Sequence, residues 1–153
     1  MMFKVLIVST SNTHKGPMAE GLLKKKMPDE LKDIVEITST GIYASIDAPC
    51  TIEVHWATKE FGVDLKKHKA RRITREMMEE ADCILSMDKV NHEIMQRSVL
   101  LDEILLLRDF SSDKTLDDIP NPKNHNTEFY RNVMMMIDDC TNNFIHYLRD
   151  KLL

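Results

Sequence analysis

A chain of 153 residues, 42% apolar and 30% charged, is long enough to bury a core as one globular domain without staples. Its 21 basic against 25 acidic residues give a net charge of -4, which excludes bulk attraction to nucleic acid or anionic lipid as the basis of function. Cys50, Cys83 and Cys140 are far apart and in no CxxC pair, which argues for reduced thiols in a cytoplasmic protein and against a disulfide framework or a zinc site.

The opening MMFKVLIVSTSN is too briefly apolar for a signal peptide, and no later run is long enough to span a bilayer. FKVLIV, residues 3–8, reads as a strand buried on both faces, being β-branched and nearly all apolar. Gly16 and Pro17 then predict a flexible joint with proline at the first helical position, and the helix through MAEGLLKKKM ends near Pro28. IVEITSTG reads as a second strand closed by Gly41. CTIEVHWATKEFGV has helical spacing, with Gly62 as its stop. TREMMEEA opens on Thr74 with an imperfect capping box, because Met77 stands where an acid is wanted. DCILSM and DEILLL supply a third and a fourth strand, with Asp88 as N-cap of the helix between them. The last segment spaces Phe129, Val133, Met136, Cys140, Phe144 and Leu148 by threes and fours, a helix with one core face. The eleven methionines are read as fillers of core gaps. Strands alternating with helices predict one α/β domain with a parallel sheet covered on both sides.

In such sheets ligands sit beyond the carboxyl ends of strands, often at a helix N-terminus. The polar loop 9–16, STSNTHKG, occupies that place. Inward-turned backbone N–H groups there make an anion nest, and the helix dipole adds partial positive charge. The loop matches neither the Walker pattern nor GxGxxG.

Three pieces together resemble the low-molecular-weight protein tyrosine phosphatase family, which includes related arsenate reductases and bacterial phosphoarginine phosphatases. They are VLIVSTSNTHKGPMAEGLL, against a family pattern of strand, C-x5-R-[ST] and PMAE; STGIYA followed by EEADCILSMDKVN; and DDIPNPKN before the final helix, where the family has an aspartate–proline loop. The resemblance covers nearly all of residues 1–153. It implies a phosphotyrosine protein phosphatase I-like fold, an open parallel four-stranded sheet with helices on both faces. It also implies a ligand that is phosphate or a phosphorylated group, such as that of a phosphoprotein, with no cofactor, metal, nucleic acid or membrane.

The departures are as specific as the matches. By the resemblance, Ser9 stands at the nucleophilic cysteine, Lys15 at the phosphate-clamping arginine, Gly16 at the hydroxyl residue that steadies the thiolate, and Asn121 at the aspartic acid that protonates the leaving group. Asn12 matches the family's loop asparagine and suits a left-handed turn. Serine is far more basic than cysteine, so the nest that ionises a thiol cannot ionise Ser9. Lys15 keeps a charge but not the planar fork. Asn121 has no proton to give, and general acid catalysis alone is worth about 10²–10⁴-fold.

The sequence therefore predicts a catalytically degenerate phosphatase-like domain that retains an oxyanion loop formed by Ser9, Thr10, Ser11, Asn12, Thr13, His14, Lys15 and Gly16. Two alternatives stand beside it. One is a working phosphomonoester hydrolase in which Ser9 uses His14 or another base. The other is an interaction protein whose loop is a relic. His14 is otherwise expected to face solvent, and Thr13 matches the threonine of the phosphoarginine branch. Cys83 and Cys140 fall on buried faces and are expected to be inert, which leaves an arsenate reductase without thiols. His68 and His92 lack a second ligand at metal spacing and are expected at the surface or hydrogen-bonded. Tyr43 and Tyr130 are expected either at the cleft mouth or packed in the core or at its rim.

Overall fold

Alternation along the first strand divides the molecule into two layers of helices. In a computed structural model, which describes residues 1–153, β1 (Phe3–Ser9) sends Val5 and Ile7 into the larger core and Leu6 and Val8 into a smaller one. β2 (Val35–Gly41), β3 (Cys83–Ser86) and β4 (Ile104–Leu106) complete a four-stranded sheet of order β2-β1-β3-β4. All three pairings are parallel. The sheet is therefore the open α/β sheet that the alternation of elements predicts.

The larger core holds α1 (Lys15–Lys26), α3 (Ile52–Lys59) and α6 (Thr127–Leu152), joined through Met18, Leu22, Val54, Val133, Ile137 and Phe144. Each fully buried side chain of this size contributes about 1.5–3 kcal/mol. On the other face α4 (Arg75–Glu80) and α5 (Lys89–Ser98) cover Leu6, Val8 and Ile84. No helix is long and apolar enough to cross a membrane.

Several local details depart from the expectation. The first helix begins at Lys15, so Pro17 is its third residue rather than its first. Its missing N–H is still harmless there, because the first intrahelical donor is Met18, bonded to the His14 carbonyl at 3.3 Å. A four-residue helix, α2 (Asp29–Lys32), and a 3₁₀ turn (Leu107–Phe110) are too short to leave a periodic signal. On α6 the buried stripe is rotated slightly: Tyr130, Met134 and Ile137 are buried, while Phe129 and Met136 lie at its margin. The caps follow the expected chemistry. Thr74 accepts the Met77 N–H at 3.2 Å, and Asp88 Oδ1 accepts the Asn91 N–H at 2.9 Å.

The register matters for function. Ser9 lies opposite Gly41 and Val8 opposite Ser86, so the carboxyl ends of three strands are level where β1 gives way to the loop. The chain then continues to β2 on one side of β1 and later to β3 on the other, which is the strand-order reversal where open α/β sheets bind ligands.

Candidate active site

Between the end of β1 and the start of α1 the chain must reverse within residues 10–14. Asn12 makes the turn, with φ of 59°, in the left-handed region that asparagine tolerates. It is fully buried, and every polar group on it is bonded. Its N–H donates to Ser9 Oγ (3.2 Å), its Nδ2 donates to Ser39 Oγ (2.8 Å), and its Oδ1 accepts the Arg71 N–H (2.9 Å). Its carbonyl lies 2.7 Å from His68 Nε2, which must therefore carry the proton. Ser39 in turn donates to Glu20, whose other oxygen pairs with Lys24 at 2.6 Å. Gly41 lets the strands close on this turn, since a Cβ there would sit 2.8 Å from the Thr10 carbonyl oxygen.

The loop's acceptors and donors are sorted by these contacts. The Ser9 and Thr10 carbonyls take the N–H groups of Ile42 and Tyr43, both at 2.9 Å, and the Asn12 and His14 carbonyls are bonded to His68 and Met18. The N–H groups of Ser11, Thr13, His14 and Lys15 have no acceptor in the protein. They lie at the positive end of a twelve-residue helix, beside a left-handed residue, which is the composition of an anion nest.

The side chains at the candidate positions are bonded within the protein itself. Ser9 is buried, its hydroxyl accepting from Asn12 and lying 3.5 Å from the Thr40 carbonyl. A Cβ on Gly16 would come within 2.7 Å of that hydroxyl oxygen, so the oxygen uses the room that a side chain at position 16 would need. No base touches Ser9. His14, expected to face solvent, is instead buried, and its Nδ1 lies 2.9 Å from Thr13 Oγ1, itself 2.8 Å from Ser11 Oγ. Burial holds the imidazole below its ordinary pKa, aided by the positive charges of Lys123 and Lys15 and opposed by Glu53.

Lys15 is turned into the protein. Buried to 6% exposure, its Nζ pairs with Asp88 Oδ2 at 3.1 Å and donates to the Ile119 carbonyl at 2.9 Å. That charge is matched within the protein, and Lys15 ties the start of α1 to the cap of α5 and to the segment before Asn121. Asn121 is exposed, and its Oδ1 accepts the Lys123 N–H at 3.0 Å within its own turn. Thr10 reaches Asn91 Oδ1 only weakly, at 3.5 Å.

Burial pushes all three thiols up to about 12, so none is a nucleophile. Tyr130 is core and Tyr43 is rim, 73% exposed. No three His, Cys, Asp or Glu side chains converge on a metal position. His68, expected at the surface or hydrogen-bonded, is hydrogen-bonded to Asn12; sequence reasoning missed Ser39 and Arg71, which also hold Asn12, and Glu20, which holds Ser39. Only Glu20, inside PMAE, carried a local signal. It also missed Lys123, the unpaired cation whose field reaches His14.

The model of the low molecular weight phosphotyrosine protein phosphatases matches residues 4–152. The chain belongs to this phosphatase family. Among its relatives, the Acinetobacter johnsonii low molecular weight protein-tyrosine-phosphatase Ptp is 26% identical over 148 residues, covering 92% of this chain and 94% of that one. The protein-arginine-phosphatase of Bacillus subtilis is 31% identical over 108 residues, covering 69% and 71%. Among solved structures, a cysteine-to-serine mutant of the arginine phosphatase YwlE, with its active-site serine phosphorylated, is 25% identical and superposes with a TM-score of 0.84 over 97% of both chains. In this family member the loop is held by the contacts of Asn12, and positions 9, 15 and 121 carry serine, lysine and asparagine.

Proposed function

We propose that the loop 9–16 holds phosphate, or a phosphorylated group on a protein, and that the domain does not hydrolyse it at a phosphatase's rate. One observation carries this reading: the carbonyls of Ser9, Thr10, Asn12 and His14 are bonded to the protein while the N–H groups of Ser11, Thr13, His14 and Lys15 are left without acceptors. Backbone donors at a helix N-terminus favour an oxyanion without any catalytic side chain. Ser9 without a base and Asn121 without a proton support the absence of turnover. Names of relatives, tyrosine and arginine phosphatases, support a phosphoprotein as the partner, and three buried free thiols suit a reducing cytoplasm.

The test is calorimetric titration of orthophosphate into the full chain. Saturable binding is expected, and at 100 times Kd it adds about 2.7 kcal/mol to stability. Lys123→Glu, at an exposed site, and Thr13→Asp, at the loop mouth, both bring a negative charge toward the nest and weaken binding. Identical titrations for wild type and both variants would make the loop a relic. Hydrolysis of an aryl phosphate within tenfold of an active relative, lost in Ser9→Ala, would establish the hydrolase instead.

A second reading is favoured by the phosphorylated serine of the YwlE mutant. Ser9 accepts a phosphoryl group once and keeps it. The Oγ–P bond forms as the donor's P–N or P–O bond breaks, and the Ser9 proton leaves with the donor. With no base at Ser9, the leaving group must take that proton, which suits a guanidine nitrogen better than a phenolate. Intact-mass measurement after incubation with phosphoarginine and phosphotyrosine peptides decides it: a single phosphoryl adduct, absent in Ser9→Ala, establishes this reading.

A further inference from the structure

A cavity of about 610 Å³ is not lined by any of residues 9–16. One wall is the face of α1 formed by Glu20, Gly21, Lys24 and Lys25; the other is the irregular segment 62–71. Where the walls meet, a Cβ on Gly21 would lie 2.5 Å from Val63 Cγ1, so helix and turn are in direct contact at the base. Gly62, with φ of +68°, leaves room for Lys25, whose Nζ donates to the Phe61 carbonyl at 2.8 Å.

Charge is the unusual property of this space in a protein of net charge -4. Five cations line it (Lys24, Lys25, Lys67, Lys69 and Arg71) against the carboxylates of Glu20, Asp47 and Asp64. Lys24 is paired with Glu20, and Glu20 is further engaged by Ser39. Lys25, Lys67, Lys69 and Arg71 have no carboxylate within ion-pair distance. The segment that carries three of them is fixed. Ala70 is fully buried and exchanges backbone bonds of 2.8 Å with Asp47 and Ala48, while the Arg71 N–H and His68 Nε2 hold Asn12. Like charges held together in this way repel unless an anion joins them.

We propose that this cavity is a second anion site, separate from the loop, that takes a chain of phosphates. Its volume is that of a small-molecule site. Only Val63 and Leu65 among its lining residues are apolar, and its single ring, His68, is committed to Asn12, so it offers no platform for a nucleobase. The cations without a carboxylate partner outnumber the unpaired carboxylates Asp47 and Asp64, and they stand on both walls of a space much larger than one phosphate group fills, Lys25 on α1 and Lys67, Lys69 and Arg71 on the segment opposite. The recognised chemistry is therefore the oligophosphate itself, whether free or as the tail of a nucleotide.

Calorimetry on the full chain with sodium tripolyphosphate, ATP and orthophosphate tests this at fixed ionic strength. Tripolyphosphate is expected to bind one-to-one, about tenfold or more tighter than orthophosphate, with ATP no tighter than tripolyphosphate. Lys67→Glu/Lys69→Glu, both exposed, raises the tripolyphosphate Kd about tenfold or more, while Lys123→Glu near the loop changes it less than about twofold. Arg71→Ala, which keeps the backbone bond to Asn12, provides the same reading if the double variant is poorly folded. The proposal is overturned if neither cavity variant moves the tripolyphosphate Kd, if Lys123→Glu abolishes that binding, or if ATP binds far more tightly through its base. These outcomes are independent of whether the loop binds orthophosphate.

Discussion

The loops 9–16 and 117–123 differ in how they are held. The loop 9–16 keeps its shape, because that shape depends on Asn12 and on its four contacts to Ser9, Ser39, His68 and Arg71. In the loop 117–123, by contrast, Asn121 is exposed and closed onto its own turn at Lys123. Binding geometry rests on many bonds, each worth about 1 kcal/mol, that nothing but the fold requires. Proton donation rests on a single carboxyl. A fold can keep the first through many exchanges, whereas one exchange at that carboxyl would remove the second.

Restoring the reactive groups is the sharpest way to break the comparison. Ser9→Cys, Gly16→Ser, Lys15→Arg and Asn121→Asp together should raise aryl phosphate hydrolysis by about 10² or more, the lower range for a single general acid. Steady-state rates on the folded variant check it. If the variant is folded and inert, the loop has not kept a productive geometry, and only the appearance of a nest survives. Next in size is Lys15→Ala. It strands Asp88 in a mostly buried place and releases the Ile119 carbonyl, so about 3 kcal/mol of stability should go, read from urea midpoints. A loss below about 0.5 kcal/mol would assign Lys15 to the surface class of ion pairs.

Much of this frame was legible in the sequence. FKVLIV and DCILSM read as strands because both faces of the sheet are covered, and Asp88 read as a cap because the helix starts beside it. What was hidden depends on distance along the chain. Lys15 and Asp88 are separated by 73 positions, so nothing local says that Asp88 spends one oxygen on Asn91 and the other on Lys15. His14 looked exposed because its neighbours are polar; its burial depends on the packing around it, where Tyr130 of α6 has its ring centroid 6.2 Å away. The holders of Asn12 come from three separate segments and share no spacing. Glu20 alone could be found, through PMAE.

A smaller effect joins Ser9 to Gly16. Gly16→Ser brings a Cβ to 2.7 Å from Ser9 Oγ, and overpacking of this kind costs about 1–3 kcal/mol. In a Ser9→Ala background the oxygen is gone and the same change should be nearly neutral. The double-mutant cycle measures the coupling directly; additive losses would mean that Ser9 Oγ moves aside freely and that the two positions are independent.

The smallest effect sharpens the loop side of the comparison through pH. The folded state holds His14 below its ordinary value of 6.5, chiefly by burial, with Lys123 and Lys15 adding to it. Below that value the unfolded chain takes up a proton that the folded chain refuses. By linkage, stability rises with pH wherever the unfolded state binds more protons, so this contribution is intact above about pH 6.5–7 and is lost progressively as pH falls toward the depressed folded value. Urea unfolding at pH 7.5 and 5.5 should show wild type losing more stability on acidification than His14→Gln. Bound phosphate makes the test more discriminating. A dianion in the nest favours a charged His14, so saturating phosphate should shrink the wild-type loss and leave His14→Gln unaffected. An equal loss in both proteins would place His14 in contact with solvent, where its charge is indifferent to folding.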